Sequence, residues 1–169
     1  MKLLHFIVIT IIASLFFTTC QNTEKEVIDK DAEISLITEA IHNTIGWAKT
    51  KDIDLLYNII ANDSNFVEIH PSPRVVFGIE NFKKAEAFWM DPRFKAIGFE
   101  IRNLKITLSR SGDVAWFYCM LDDMNEWDGE PANWMNARWT GVLEKRNSSW
   151  RMVQQQLAYG STAFFVCIR

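Results

Sequence analysis

The feature that most constrains this chain is a change of period at Asp91-Pro92. Before it, apolar residues recur every three or four positions, the spacing of helices with one buried face. Ile34, Ile37, Ile41, Ile45 and Ala48 predict a first helix capped by Asp31 and ending near Lys51. Asp52 caps a short second helix that turns Leu55, Leu56, Ile59 and Ile60 inward. A strand over Phe66 to His70, stopped by Pro71 and Pro73, and a brief one at Val75-Val76-Phe77 come next. Gly78 then precedes a third helix, Ile79 to Met90. Beyond Asp91-Pro92 the period is two. Phe99 and Ile101 alternate, then Leu104, Ile106 and Leu108 alternate with the opposite parity, so a bulge is expected near Arg102-Asn103. Val114 to Met124, Trp134 to Lys145 and Trp150 to Tyr159 read as strands, with turns at Asp128-Gly129 and Asn147-Ser148-Ser149. Helices followed by an antiparallel meander predict an α+β fold, with about three helices packed on one face of a strongly curved antiparallel sheet.

The N-terminus carries an address. Met1-Lys2 is a short positive start, Leu3 to Phe17 is mostly apolar, and the chain turns polar after Thr18-Thr19-Cys20. An apolar stretch too short for a comfortable membrane span, followed by small residues, has the form of a secretory signal over residues 1–19. Cys20 at the cut resembles the lipobox of bacterial lipoproteins, whose thiol is acylated, although Thr19 stands where Gly, Ala or Ser is usual. The expectation is a lipid-anchored protein of the bacterial cell envelope, held to its membrane through Cys20. Plain secretion, or release into the periplasm, and an uncleaved anchor are the alternatives. Residues 20–30 then form a polar tether, 31–160 the domain, and 161–169 an apolar tail.

Composition narrows the function. Apolar residues make up 49% of the chain and aromatic ones 13%, too rich in large side chains for disorder. The net charge is −3 and no basic stripe occurs, which argues against nucleic acid. Seven tryptophans supply large buried area and suit either a core or a pocket. Cys119 sits in an apolar run, and a disulfide with Cys167 stays open. There is no Gly-rich phosphate loop and no nucleophile motif beside a histidine, so neither a cofactor nor a Ser-His-Asp site is expected.

Several segments together resemble the SnoaL-like and ketosteroid-isomerase-like branch of the nuclear transport factor 2 superfamily. They are Lys51-Asp52-Ile53-Asp54-Leu55-Leu56, Phe66-Val67-Glu68-Ile69-His70-Pro71, Gly78-Ile79-Glu80-Asn81-Phe82, Asp113-Val114-Ala115-Trp116, and the stretches Arg138 to Arg146 and Trp150 to Gln154. The resemblance covers about residues 31 to 160. It implies a cone with a deep apolar pocket between sheet and helices, and often a homodimer through the sheet. The family includes isomerases, cyclases, hydrolases and dehydratases as well as binding and assembly modules.

In ketosteroid isomerase a pocket carboxylate moves a proton beside a carbonyl. Where its relatives carry an Asp directly before the Pro, this chain has His70, with Glu68 two residues earlier on the same strand face. Imidazole titrates near neutral pH and suits a general base, with Glu68 orienting it. A solvated histidine at a strand end is the competing reading. Glu68 and His70 supply two ligands where a catalytic zinc site takes three, so no metal is expected. Where relatives carry a pocket histidine in the last strand this chain has Gln156, which hydrogen-bonds but does not titrate. Gln154 and Gln156 share a strand face with Met152 and Trp150 by parity; Trp116 and Tyr118 share a face, as do Trp134, Asn136 and Arg138. Arg138 facing inward would hold an anion; facing outward it belongs to the surface.

The favoured reading is therefore a domain that binds a small apolar or amphipathic molecule in a pocket lined by Trp116, Tyr118, Arg138, Gln154 and Gln156. The rivals are an isomerase or hydratase using His70 with Glu68, and a dimeric interaction module without a ligand. The pocket reading requires His70 and Gln156 to share one cavity.

Overall fold

The computed structural model describes residues 28–159. The leader, Cys20 with its expected acylation, most of the tether, and the tail with Cys167 lie outside the described residues.

The first helix, α1, spans Lys30–Gly46 and is followed by one 3₁₀ turn, Trp47–Lys49. Its cap is Asp29 rather than Asp31: Asp29 Oδ1 accepts from the backbone N–H of Asp31 and Ala32, both at 3.1 Å. Both aspartates suit an N-terminus chemically. Asp31, inside the first turn, is left to favour the helix dipole. Ile37 and Ile41 are fully buried, and Ile34 and Ile45 flank them. The second helix, α2, covers Ile53–Ile59, and Asp52 caps it as expected, accepting from Leu55 N–H at 3.0 Å. Losing such a cap typically costs about 1 kcal/mol.

Strand β1 is Val67–Ile69 and β2 is Val75–Phe77. Gly78 then turns the chain with φ 74°, a conformation that disfavours side chains. The expected third helix is broken into α3 (Ile79–Phe82), a 3₁₀ turn at Lys83–Ala85, and α4 (Glu86–Trp89). The long strands are β3 (Phe94–Leu108), β4 (Val114–Trp127), β6 (Trp134–Arg146) and β7 (Ser149–Ala158), with a two-residue β5 (Glu130–Pro131) beside β4.

The strand order is β2-β1-β7-β6-β4-β3. The meander is antiparallel throughout, but β1 pairs with β7 in parallel, so the sheet is mixed rather than antiparallel. The cause lies in the connection: β1 precedes β7 by the whole meander, and nothing so distant in sequence forces a hairpin direction. Bulges bend the sheet. β3 carries one at Ile97 and another after Arg102, where Asn103 has φ 56°. β6 carries one at Asn136, φ 55°, and β7 carries one at Val153. Such insertions increase twist and curl a sheet around what packs on it. Helix α1 lies across β3 and β7 on the concave side. Gly141 permits a close approach within the sheet: a Cβ there would sit 2.6 Å from Phe117 Cε1 and 2.9 Å from the Gln154 carbonyl oxygen. Among the described residues no helix is long and apolar enough to cross a membrane.

Candidate functional site

Between the concave face of the sheet and the helices lies a cavity of about 280 Å³. β1 supplies Glu68, and His70 follows just past the strand end. The neighbouring β7 supplies Gln155, whose Cα pairs with that of Glu68. Three hydrogen bonds tie these groups together. Trp139 Nε1–H donates to Gln155 Oε1 at 3.2 Å, which fixes which way the amide points. Gln155 Nε2 donates to Glu68 Oε1 at 2.8 Å, and Glu68 Oε2 lies 3.0 Å from His70 Nε2. Trp139, Gln155 and Glu68 are all buried, so each polar atom in the chain depends on the next. The His70 ring stands edge-on to Trp134, with centroids 5.8 Å apart.

The opposite wall holds Asp123 and Asn125 from β4. Burial pushes the Asp123 carboxyl above the usual carboxylate range, partly offset by a hydrogen bond from Asn125. Among the described residues no cation pairs with Asp123. The remaining lining is mainly apolar, with Trp47, Trp89 and Phe82 forming a run of ring contacts at 5.0–5.4 Å. Buried Cys119 lies on the same strand face, its thiol pushed up to about 12, which keeps it from acting as a thiolate.

The expected residues divide between the two sides of the sheet. Glu68, His70 and Trp134 line the cavity. Trp116, Tyr118 and Gln154 line a separate shallow groove on the convex face, and Trp116 and Tyr118 are 48% and 39% exposed. Arg138 is exposed, and its Nη2 donates to the Tyr159 carbonyl. Gln156 is exposed between two cavity residues, Gln155 and Leu157, and so points away from them. His70 and Gln156 therefore share no cavity, and the pocket as composed from the sequence is replaced by one with a different far wall.

The bulges explain each correction. The extra residue at Val153 shifts β7, so that Trp150 and Met152 share the inner face with Gln155 and Leu157 rather than with Gln154 and Gln156. The bulge at Asn136 likewise separates Trp134 from Arg138. On β4 no residue is inserted relative to the inner series Ala115, Phe117, Cys119 and Leu121, which runs on to Asp123 and Asn125. Both parities of that strand begin apolar, and the outer series took the amphipathic Trp and Tyr. Signals for the missed residues were present. The apolar positions Met152 and Leu157 are an odd number apart, and Asp123 and Asn125 continue the parity of Leu121.

Among the described residues no three His, Cys, Asp or Glu side chains converge as a metal site requires. His42 instead packs beside Phe99, ring centroids 5.9 Å apart.

A cone of this shape with its cavity under the helices matches a known family: the model of the SnoaL-like domain aligns with residues 37–162. The chain belongs to the SnoaL-like domain family. Solved structures place this SnoaL-like domain within the nuclear transport factor 2-like fold. A superfamily protein from Salmonella enterica superposes with TM-score 0.69 at 16% identity, covering 80% of this chain and 96% of that one. A proposed dehydratase of the same family from Streptomyces avermitilis gives 0.67 at 14%, covering 78% and 98%. The association domain of C. elegans CaMKII gives 0.58 at 14%, covering 77% and 98%. At such identities the likeness is one of fold. A search of curated proteins finds no match.

Proposed function

We propose that this SnoaL-like domain binds a small, largely apolar molecule bearing a polar group, and that it does so exported and lipid-anchored at Cys20 in a bacterial cell envelope. The observation that carries the binding reading is the cavity of about 280 Å³, apolar over most of its wall, into which Glu68, His70 and Asp123 project. Concave apolar sites with a few convergent polar groups are where small ligands bind. A cavity plugged by tryptophan and phenylalanine would favour a pure interaction module. The address rests on the Met1-Lys2 start, the apolar run to Phe17 and the cysteine after it. A homodimer through the convex face is supported by exposed Trp116 and Tyr118.

Native mass spectrometry of the protein purified from its own host tests both parts. A retained small molecule and a diacylglycerol-sized mass increment at Cys20, lost in Cys20→Ser, are the expected results. An empty protein starting at another residue would overturn them.

A second reading, proton-transfer catalysis of the isomerase or hydratase type, is favoured by the Glu68–His70 contact. With Nε2–H donated to Glu68, the lone pair of neutral His70 lies on Nδ1, the atom that would accept a proton. The protonated form of Asp123, which burial favours, would supply a donor in the same cavity. Deuterium uptake at a carbon of the retained molecule in heavy water, abolished by His70→Ala, is the expected signature. Retention without exchange limits the domain to binding.

A further inference from the structure

We infer that the cavity selects an organic cation, an amine or quaternary ammonium carried on an apolar body. This rests on the reading of the cavity as a ligand site and adds the charge of what fills it.

Three observations converge. The titratable lining consists of Glu68, His70 and Asp123, and none of the described lining residues is Lys or Arg. Two of the three are acids and none carries a permanent positive charge, so an anionic ligand meets no fixed countercharge. Six aromatic side chains, Trp47, Phe82, Phe88, Trp89, Phe94 and Trp134, share the wall. Aromatic rings attract a cation through the negative potential of their faces, most strongly where water is excluded.

The third observation is the contrast between two adjacent aspartates on β4. Asp122, on the convex face, has its Oδ2 bound by Arg102 Nη2 at 2.7 Å and its Oδ1 by Asn136 N–H at 2.6 Å. Asp123, on the concave face, has only Asn125 and no cation. Two basic residues beside Asp91 are engaged elsewhere. Arg93 lies over the Trp127 ring and is held by Asp91, and Lys51 donates to the Asp91 carbonyl. A desolvated carboxylate without a countercharge is costly. Glu68 has both oxygens occupied, so Asp123 is the group with unused capacity. An ammonium beside it supplies the missing charge. With a neutral ligand only protonation relieves that cost.

The groups facing Asp123 in the cavity are Glu68 and His70 from β1, while Tyr159 beyond β7 feels its charge. None of these supplies a permanent positive charge. A ligand of fixed charge should therefore bind more tightly as pH rises through the elevated range of Asp123, with a proton released on binding.

The test uses the full chain and three benzyl probes: benzyltrimethylammonium, its uncharged carbon isostere neopentylbenzene, and the anion phenylacetate, read by tryptophan fluorescence and calorimetry. The cation should bind about tenfold or more tightly than the hydrocarbon, a difference of one charge in a desolvated site. Phenylacetate should bind least. Asp123→Asn should erase the cation's advantage over the hydrocarbon. Glu68→Gln, checked beside it, should reduce that advantage if Asp123→Asn fails to fold. Equal affinity for cation and hydrocarbon, or a preference for phenylacetate, overturns the charge inference and leaves the apolar ligand site standing. A cation preference untouched by either substitution overturns it as well. Binding of none of the three overturns both.

Discussion

The two faces of the sheet are made from alternate residues of the same strands, and they have become different kinds of surface. On the concave side, Trp139, Gln155 and Glu68 are buried in a single hydrogen-bonded line that ends at His70. On the convex side, Trp116 and Tyr118 are the largest apolar groups, and both stand well into solvent. An aromatic residue on one side is structural wall; one position along, it is free surface. Adjacent aspartates show the same split, Asp122 neutralised by Arg102 and Asp123 alone in an apolar cavity. What separates the two environments is less the type of residue than its parity, and bulges set parity.

The sharpest way to break this comparison is to truncate a tryptophan on each face. Trp139→Ala should cost about 3–5 kcal/mol, since its fully buried ring leaves a cavity and an amide unpaired. In a single protomer, Trp116→Ala should change stability by no more than about 0.5 kcal/mol, as surface substitutions do. Urea unfolding midpoints of the two variants measure the difference, and equal losses would mean that Trp116 is covered by something that the isolated chain does not show.

The next contrast separates neighbouring glutamines. Gln155→Leu removes the acceptor of Trp139 Nε1–H and the donor to Glu68, and should cost about 1–3 kcal/mol. Gln156→Leu should stay within about 0.5 kcal/mol. The same denaturation experiment applies. A costly Gln156 and a silent Gln155 would reverse the assignment of faces on β7.

The smallest effect concerns Asp123 and depends on pH. Its folded carboxyl titrates above its unfolded value, so the native state holds that proton to higher pH than the unfolded chain does. Its contribution to stability therefore falls as pH rises from the unfolded carboxylate range through the elevated folded one. Asp123→Asn should stabilise the empty protein at pH 7, and the gain should vanish near pH 3, where both side chains are neutral. Thermal melts at the two pH values check the sign. A gain that grows on acidification would show that Asp123 is charged and paired in the native state.

Much of the fold was legible in the residues. Asp52 caps α2 and Gly78 takes a positive φ because each of these needs only its immediate neighbours. Asp128-Gly129 and Asn147-Ser148 turn with positive φ at both positions, for the same reason. The bulge after Arg102 was visible as a slip in apolar parity. Of the site, Glu68 and His70 lie side by side in the cavity, as their spacing of two suggested. Gln154, Gln156, Trp116, Tyr118 and Arg138 fell on the other face. On β7 the three residues from Gln154 to Gln156 are chemically identical, so only the odd spacing of Met152 and Leu157 carried the slip.

The sequence by itself determined the order of elements, the switch from helix to meander, the Asp52 cap and the hairpin turns, all of which depend on contacts a few residues apart. Tertiary structure alone decided three things. It set the parallel docking of β1 on β7, which joins residues some ninety positions apart. It also set the break in the helix after Phe82 and the inward choice of Gln155 over its two neighbours. The physical reason for the inward choice is geometric. Side-chain direction on a strand flips with every inserted residue, and whether an insertion occurs depends on how the sheet must curve around the helices and rings packed against it.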